Sequence, residues 1–218
     1  MKPIPRLLLL LIIAVGAVTM LTGCKSVYYG TYEKFGVHKR DLLKKNVKEA
    51  RDDQQKASEQ FKDALTKLKE IYAFEGGDLE KQYRQLQSEY EDADTRAKAV
   101  RKRIADVETV GSDLFKEWEA EIQQISTPSL AESSRKQLRE TRGKYNQMLD
   151  ALNKAEQSMG PVLTKLRDQV LYLKHNLNAA AIASLRGEAT SIQGEITSLI
   201  ADMNASIAKA DEFIKAME

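Results

Sequence analysis

LEKQYRQLQSEYEDADTRAKAVRKRIADVETVGSDLFKEWEAEIQQI, residues 79–125, is the stretch that decides the fold. An apolar seam runs through Leu79, Tyr83, Leu86, Tyr90, Ala93, Ala97, Val100, Ile104, Val107, Gly111, Leu114, Trp118, Ile122 and Ile125. The steps alternate between four and three residues, with one extra four at the end. That is a heptad seam sustained for about six repeats, long enough to indicate a coiled-coil helix. No proline interrupts it, and good helix formers fill the positions between.

Seams of the same kind extend to both sides. A weaker one precedes it through Leu43, Val47, Ala50, Ala57, Phe61, Ala64, Leu68 and Ile71. One follows through Leu138, Tyr145, Met148, Leu152, Ala155, Met159, Val162, Leu166, Val170, Leu173, Leu177 and Ala180. A last one runs through Leu185, Ala189, Ile192, Ile196, Leu199, Met203, Ile207, Ala210, Phe213 and Met217. Glu75-Gly76-Gly77-Asp78 reads as a glycine stop followed by an aspartate N-cap. Ser126-Thr127-Pro128-Ser129 is the second break, with Ser129 and Glu132 at capping-box spacing. Met159-Gly160-Pro161 predicts a kink, because Pro161 lacks an N–H, but the apolar phase passes through it. The third turn is expected near Asn178 to Gly187. Short connections make consecutive helices antiparallel neighbours. The expected fold is all-α: an elongated antiparallel helical bundle, or coiled coil, of about four long helices over roughly 38–74, 79–125, 130–178 and 185–216. The longest would reach about 70 Å at 1.5 Å per residue.

The beginning of the chain has a different character. Lys2 and Arg6 precede a nearly pure apolar run, Leu7 to Val18, and Leu21-Thr22-Gly23-Cys24 follows. A run of about a dozen residues is short for a membrane span and suited to a signal-peptide core. Leu-Thr-Gly-Cys resembles the lipobox of bacterial lipoproteins. That resemblance implies cleavage after Gly23, diacylglycerol on the Cys24 thiol and acylation of the new amino group, an arrangement with enough acyl chains for firm attachment. The organisation expected is a signal peptide over 1–23, a juxtamembrane tether over 24–36 and the bundle over 37–218. Lys25, not an aspartate, follows the cysteine. Under the lipoprotein sorting rule this points to the outer membrane, facing the periplasm. Cys24 is the one cysteine of the chain, so no disulfide can brace the fold.

Processing also removes Lys2 and Arg6, leaving 32 basic against 32 acidic residues. A neutral chain offers no electrostatic reason to bind nucleic acid. The tether concentrates aromatic and basic groups, with Lys25, Tyr28, Tyr29, Tyr32 and Phe35 within eleven residues. Tyrosine and lysine suit a membrane–water boundary, so these are candidate membrane-interface residues; the alternative is a tether folded back on the bundle end.

No catalytic constellation emerges. The two histidines are His38 and His175. His38 and Asp41 are one helical turn apart, but zinc sites need three or four ligands. His175 has no visible catalytic partner. No serine sits in a Gly-x-Ser-x-Gly elbow. Gly23-Cys24-Lys25-Ser26 lacks the glycine spacing and preceding strand of a P-loop. No cofactor or metal is expected, and no enzyme.

Four segments carry a family resemblance: Phe35-Gly36-Val37-His38-Lys39-Arg40-Asp41, Gly76-Gly77-Asp78-Leu79-Glu80, Gln137-Leu138-Arg139-Glu140-Thr141-Arg142, and Asp168 to Asn178, DQVLYLKHNLN. In order and spacing they resemble the bacterial lipoproteins grouped as domain-of-unknown-function family 2959, over essentially the whole mature chain. The resemblance implies a helical envelope protein and transfers no catalytic residue. The function expected is a lipid-anchored structural or adaptor protein that faces the periplasm and binds an envelope protein. Its candidate partner surface is Tyr172, Lys174, His175 and Asn176. The alternatives are a homo-oligomeric coiled-coil scaffold and an enzyme acting on envelope polymers.

Overall fold

A computed structural model describes residues 38–218. Four α-helices account for nearly all of them: α1 Lys39–Tyr72, α2 Leu79–Ile122, α3 Pro128–His175 and α4 Ala179–Ala216. There is no strand among the described residues. The chain divides into residues 1–42 and a compact unit, Leu43–Glu218, which contains the bundle. The signal-peptide and tether expectations fall on residues outside those described.

Side-chain bonds give the direction of each neighbouring helix pair. Gln60 Nε2 donates to Glu89 Oε2 at 2.6 Å and Arg103 Nε to Asp53 Oδ2 at 3.1 Å, so α1 and α2 are antiparallel. Arg101 to Glu156 and Arg142 to Glu119 do the same for α2 and α3. Lys154 to Asp202, with the Lys165–Glu195 pair, orients α4 against α3. Arg51 to Asp211, 2.8 Å, and Lys44 to Glu218, 3.1 Å, close the circuit between α1 and α4. Helices α1 and α3 are diagonal and parallel, joined through the core by Tyr72 Oη donating to Gln169 Oε1 at 2.8 Å. This is an up-down-up-down bundle.

The core is the set of seams. Phe61, Leu68, Leu86, Met148, Leu152, Leu166, Leu173, Ile196, Met203 and Phe213 are almost completely enclosed. Three details depart from the sequence reading. On α1 the seam does not skip from Ala50 to Ala57: Gln54 occupies the intervening position and is fully buried, completing an unbroken four-three alternation from Leu43 to Ile71. On α2 the phase slips after Val107, so Phe115 is buried where Leu114 was expected and Leu114 is only half-buried. On α4 the step after Met203 is three, not four, which buries Ser206 instead of Ile207. The Ser206 hydroxyl is satisfied locally, donating to the Met203 carbonyl at 2.8 Å.

The Gly111–Tyr145 contact explains the slip on α2. A Cβ at Gly111 would lie 2.5 Å from Tyr145 Cζ and Oη. The tyrosine ring therefore occupies the space a side chain would fill. Its hydroxyl donates to the Val107 carbonyl at 3.2 Å. Phe115 meets the ring edge-on, with centroids 5.1 Å apart, and Phe213 of α4 does so at 5.9 Å. Arg142 covers the other side of Phe115, its guanidinium 5.0 Å from the ring centroid, while pairing with Glu119. Seating this aromatic group fixes the rotation of α2's second half.

The helix ends follow cap chemistry. Asp78 caps α2 as expected, its carboxylate accepting from the Lys81 N–H at 2.9 Å. Gly77 takes φ 118°, which a residue with a side chain rarely adopts. The N-cap of α3 is Thr127, not Ser129. Pro128 takes the first helical position, which puts Ser129 inside the helix and rules out the capping box. α3 runs through Pro161 as one helix of 48 residues, about 70 Å. The third turn is shorter and earlier than expected, only residues 176–178, and Gly187 lies within α4.

Candidate functional site

Cys24 and the candidate interface residues Lys25, Tyr28, Tyr29, Tyr32 and Phe35 lie outside the described residues. The partner surface proposed on sequence grounds, at the end of α3, is fully described.

The α3–α4 turn is Asn176-Leu177-Asn178, and both asparagines are consumed by helix capping. Asn176 ends α3: its N–H donates to the Leu173 carbonyl at 3.1 Å and its side-chain Nδ2 to the Tyr172 carbonyl at 2.8 Å. Asn178 starts α4, its side-chain oxygen accepting from the Ala181 N–H at 3.0 Å. These bonds satisfy end groups that the helices leave open. Asn176 is thus half-buried and structurally occupied, whereas Tyr172, Lys174 and His175 are exposed.

Between the two caps, Leu177 is pushed into solvent and is 40% exposed; Leu171 is 50% and Tyr172 39% exposed. The α3 seam therefore ends at Leu173, and Leu177 and Ala180, which the sequence pattern placed on it, face water. Their expected positions pass to Ala181 and Ile182, which start the buried stripe of α4. Three of the four large hydrophobic residues exposed among those described sit at this single turn. The fourth, Leu130, is at the α2–α3 turn. Residues 175–185 also form a run without a fully charged group in a chain that is 30% charged. The sequence signal for Leu171 and Leu177 was present as hydrophobicity, but the heptad pattern absorbed Leu177 and the alternation hid Leu171.

The base of this tip is rigidly built. Arg186 of α4 reaches across to the C-terminal end of α1, its Nε donating to the Tyr72 carbonyl and Nη2 to the Phe74 carbonyl at 3.1 Å. A cation there complements both the open carbonyls and the helix dipole. Burial pushes the Tyr72 hydroxyl up to about 12, partly opposed by its bond to Gln169. The α1–α2 and α3–α4 turns thus share one end of the bundle. The opposite end holds the α2–α3 turn, the C-terminus of α4, and the Lys44–Glu218 pair where α1 enters the unit.

Two of the surface concavities among the described residues are open grooves lined mainly by charged groups. One of about 440 Å³ lies along the first turns of α2, among Asp78, Glu80, Lys81 and Arg84. Another of about 250 Å³ runs between α2 and α3, beside Glu119, Arg135, Arg139 and Arg142. Among the described residues, no three His, Cys, Asp or Glu side chains converge as metal ligands would. No described helix is long and apolar enough to cross a membrane.

Comparison with known proteins adds the family. The model of the family described as "Protein of unknown function (DUF2959)" matches residues 28–217. No curated protein matches the chain.

Proposed function

Because the chain belongs to the DUF2959 family, whose description carries no activity, we propose, from its lipobox-like sequence and the surface of the bundle tip, that it is a lipid-anchored adaptor. The anchor is Cys24, the membrane is the outer membrane on its periplasmic side, and the bundle tip binds a protein of the envelope. The protein binds; it does not catalyse.

The observation that carries this reading is the clustering of Leu171, Tyr172 and Leu177 at one turn. Isolated exposed apolar residues are ordinary, but three together at one end of the bundle, with Leu177 held outward between two caps, need a reason. Aromatic and aliphatic anchors ringed by polar groups are the usual energetic centre of a protein interface. Lys174 and His175 supply the polar rim. The position supports the adaptor reading as well. α1 enters the compact unit at Leu43, a helix length from the tip. From Leu43 to Tyr72 that is about 45 Å.

A purification from cells with the full-length chain tests it. Leu171→Ser with Leu177→Ser should abolish recovery of the partner while leaving the helical content intact, because neither side chain is in the core. Tyr172→Ala with Lys174→Ala should weaken recovery. Unchanged recovery with both pairs would remove the tip as the binding surface.

A further inference from the structure

We propose that α1 is a separable strap, hinged at Gly76-Gly77, that opens from α2–α3–α4 before the rest of the bundle unfolds.

The first ground is what the seam of α1 leaves unmade. Gln54 and Ser58, one helical turn apart on α1, are both fully buried. Gln54 Nε2 reaches the Leu152 carbonyl at only 3.5 Å, while Gln54 Oε1 and Ser58 Oγ have no hydrogen-bond partner. A third such atom, Gln82 Oε1, lies on the stretch of α2 that runs beside the last turns of α1. Two of these polar defects lie on the seam of α1 itself, and each makes opening cheaper because water would satisfy it. A buried polar residue at a heptad position also fixes register at the expense of stability.

The second ground is the arrangement of a glycine pivot and exposed ion pairs. Gly76 has nothing within 4 Å of where a Cβ would be, and Gly77 holds φ 118°. Arg186 grips the Tyr72 and Phe74 carbonyls immediately before them. Away from this pivot, α1 is tied to α4 by Arg51–Asp211 and Lys44–Glu218, in which both carboxylates are more than half exposed. Exposed ion pairs hold weakly. The strap therefore peels from its Lys44–Arg51 turns.

Hydrogen exchange followed by mass spectrometry on the full-length chain tests this. Opening of α1 alone predicts that amides in residues 47–68 exchange at least tenfold faster than those in residues 148–170. Tyr145→Phe removes a bond that lies within α2 and α3 and touches nothing on α1. It should speed exchange in α3 roughly five- to tenfold and leave α1 unchanged. Gln54→Leu with Ser58→Ala should slow exchange in α1 tenfold or more. Equal protection of α1 and α3 in the native chain, a parallel change of both in Tyr145→Phe, or faster α1 exchange in the Gln54/Ser58 variant would each overturn the proposal.

Discussion

Replacing Gly111 by alanine sets two terms of opposite sign against each other. Alanine in a helix interior is favoured over glycine by about 1 kcal/mol. Gly111, however, faces the Tyr145 ring, and the new methyl would sit 2.5 Å from Cζ and Oη and 2.7 Å from Cε2. Ordinary carbon contacts are about 3.5–4.0 Å, so the ring must retreat by roughly 1 Å. It has nowhere to go, because Phe115 and Phe213 pack on it and its hydroxyl is bonded to Val107. Overpacking costs about 1–3 kcal/mol, and loss of the buried hydroxyl's partner adds about 1–3 kcal/mol. The net is a destabilisation of about 1–5 kcal/mol, which lowers Tm by roughly 3–15 °C for a chain of this size. Trp118, the sole tryptophan, bonds to Ser134 across α2 and α3 and reports the transition by fluorescence. Gly143→Ala is the control: its Cβ would meet nothing within 4 Å, so it should raise Tm slightly. In a Tyr145→Leu background, which removes the ring, Gly111→Ala should become neutral or stabilising. If Gly111→Ala raises Tm as Gly143→Ala does, the account of the aromatic group is wrong.

Other outcomes follow from single contacts. Arg186→Met should lower stability by about 1–2 kcal/mol, the usual cost of a charge-assisted bond to open carbonyls, read as a lower urea midpoint. Burial pushes both Tyr72 and Tyr145 up to about 12. Since burial disfavours the ionised form, their contribution is complete below pH 10 and is lost as pH rises from 10 to 12, on the order of 2 kcal/mol for each. Denaturation midpoints between pH 9 and 12 should show that fall, and Tyr72→Phe with Tyr145→Phe should flatten it. Cys24→Ala should abolish incorporation of labelled palmitate and release the chain from the membrane fraction. Persistent labelling would place the lipid elsewhere. Light scattering on residues 25–218 should give a monomer mass independent of concentration; a mass that grows with concentration would favour the coiled-coil scaffold.

Periodicity carried the fold because each long helix buries one stripe, and a stripe is visible without knowing what covers it. The glycine-aspartate break before Leu79 was legible for the same local reason: one residue must turn and the next must cap. The failures mark where neighbours outweigh local pattern. Gln54 is polar and so drops out of an apolar count, although its position in the four-three alternation is exact. Phe115 replaces Leu114 because Tyr145, thirty residues away in sequence, claims the space beside Gly111. Pro128 displaced the expected cap at Ser129, since proline is suited to the first helical position. At the candidate site, Tyr172, Lys174 and His175 were visible as an unusual cluster. Leu177 was hidden because an apolar residue at heptad spacing looks buried until the helix is seen to stop at His175.

The central claim is that the tip at the α3–α4 turn is the binding surface. A photo-crosslinking side chain placed at Leu177, with a second full-length variant carrying it at Leu130, tests that claim in living cells. Both positions are exposed, at 40% and 60%, and they lie at opposite ends of the bundle. The account predicts one discrete adduct from position 177 that disappears with Leu171→Ser, and no matching adduct from position 130. The same adduct from both positions, or a discrete adduct from 130 alone, would contradict it.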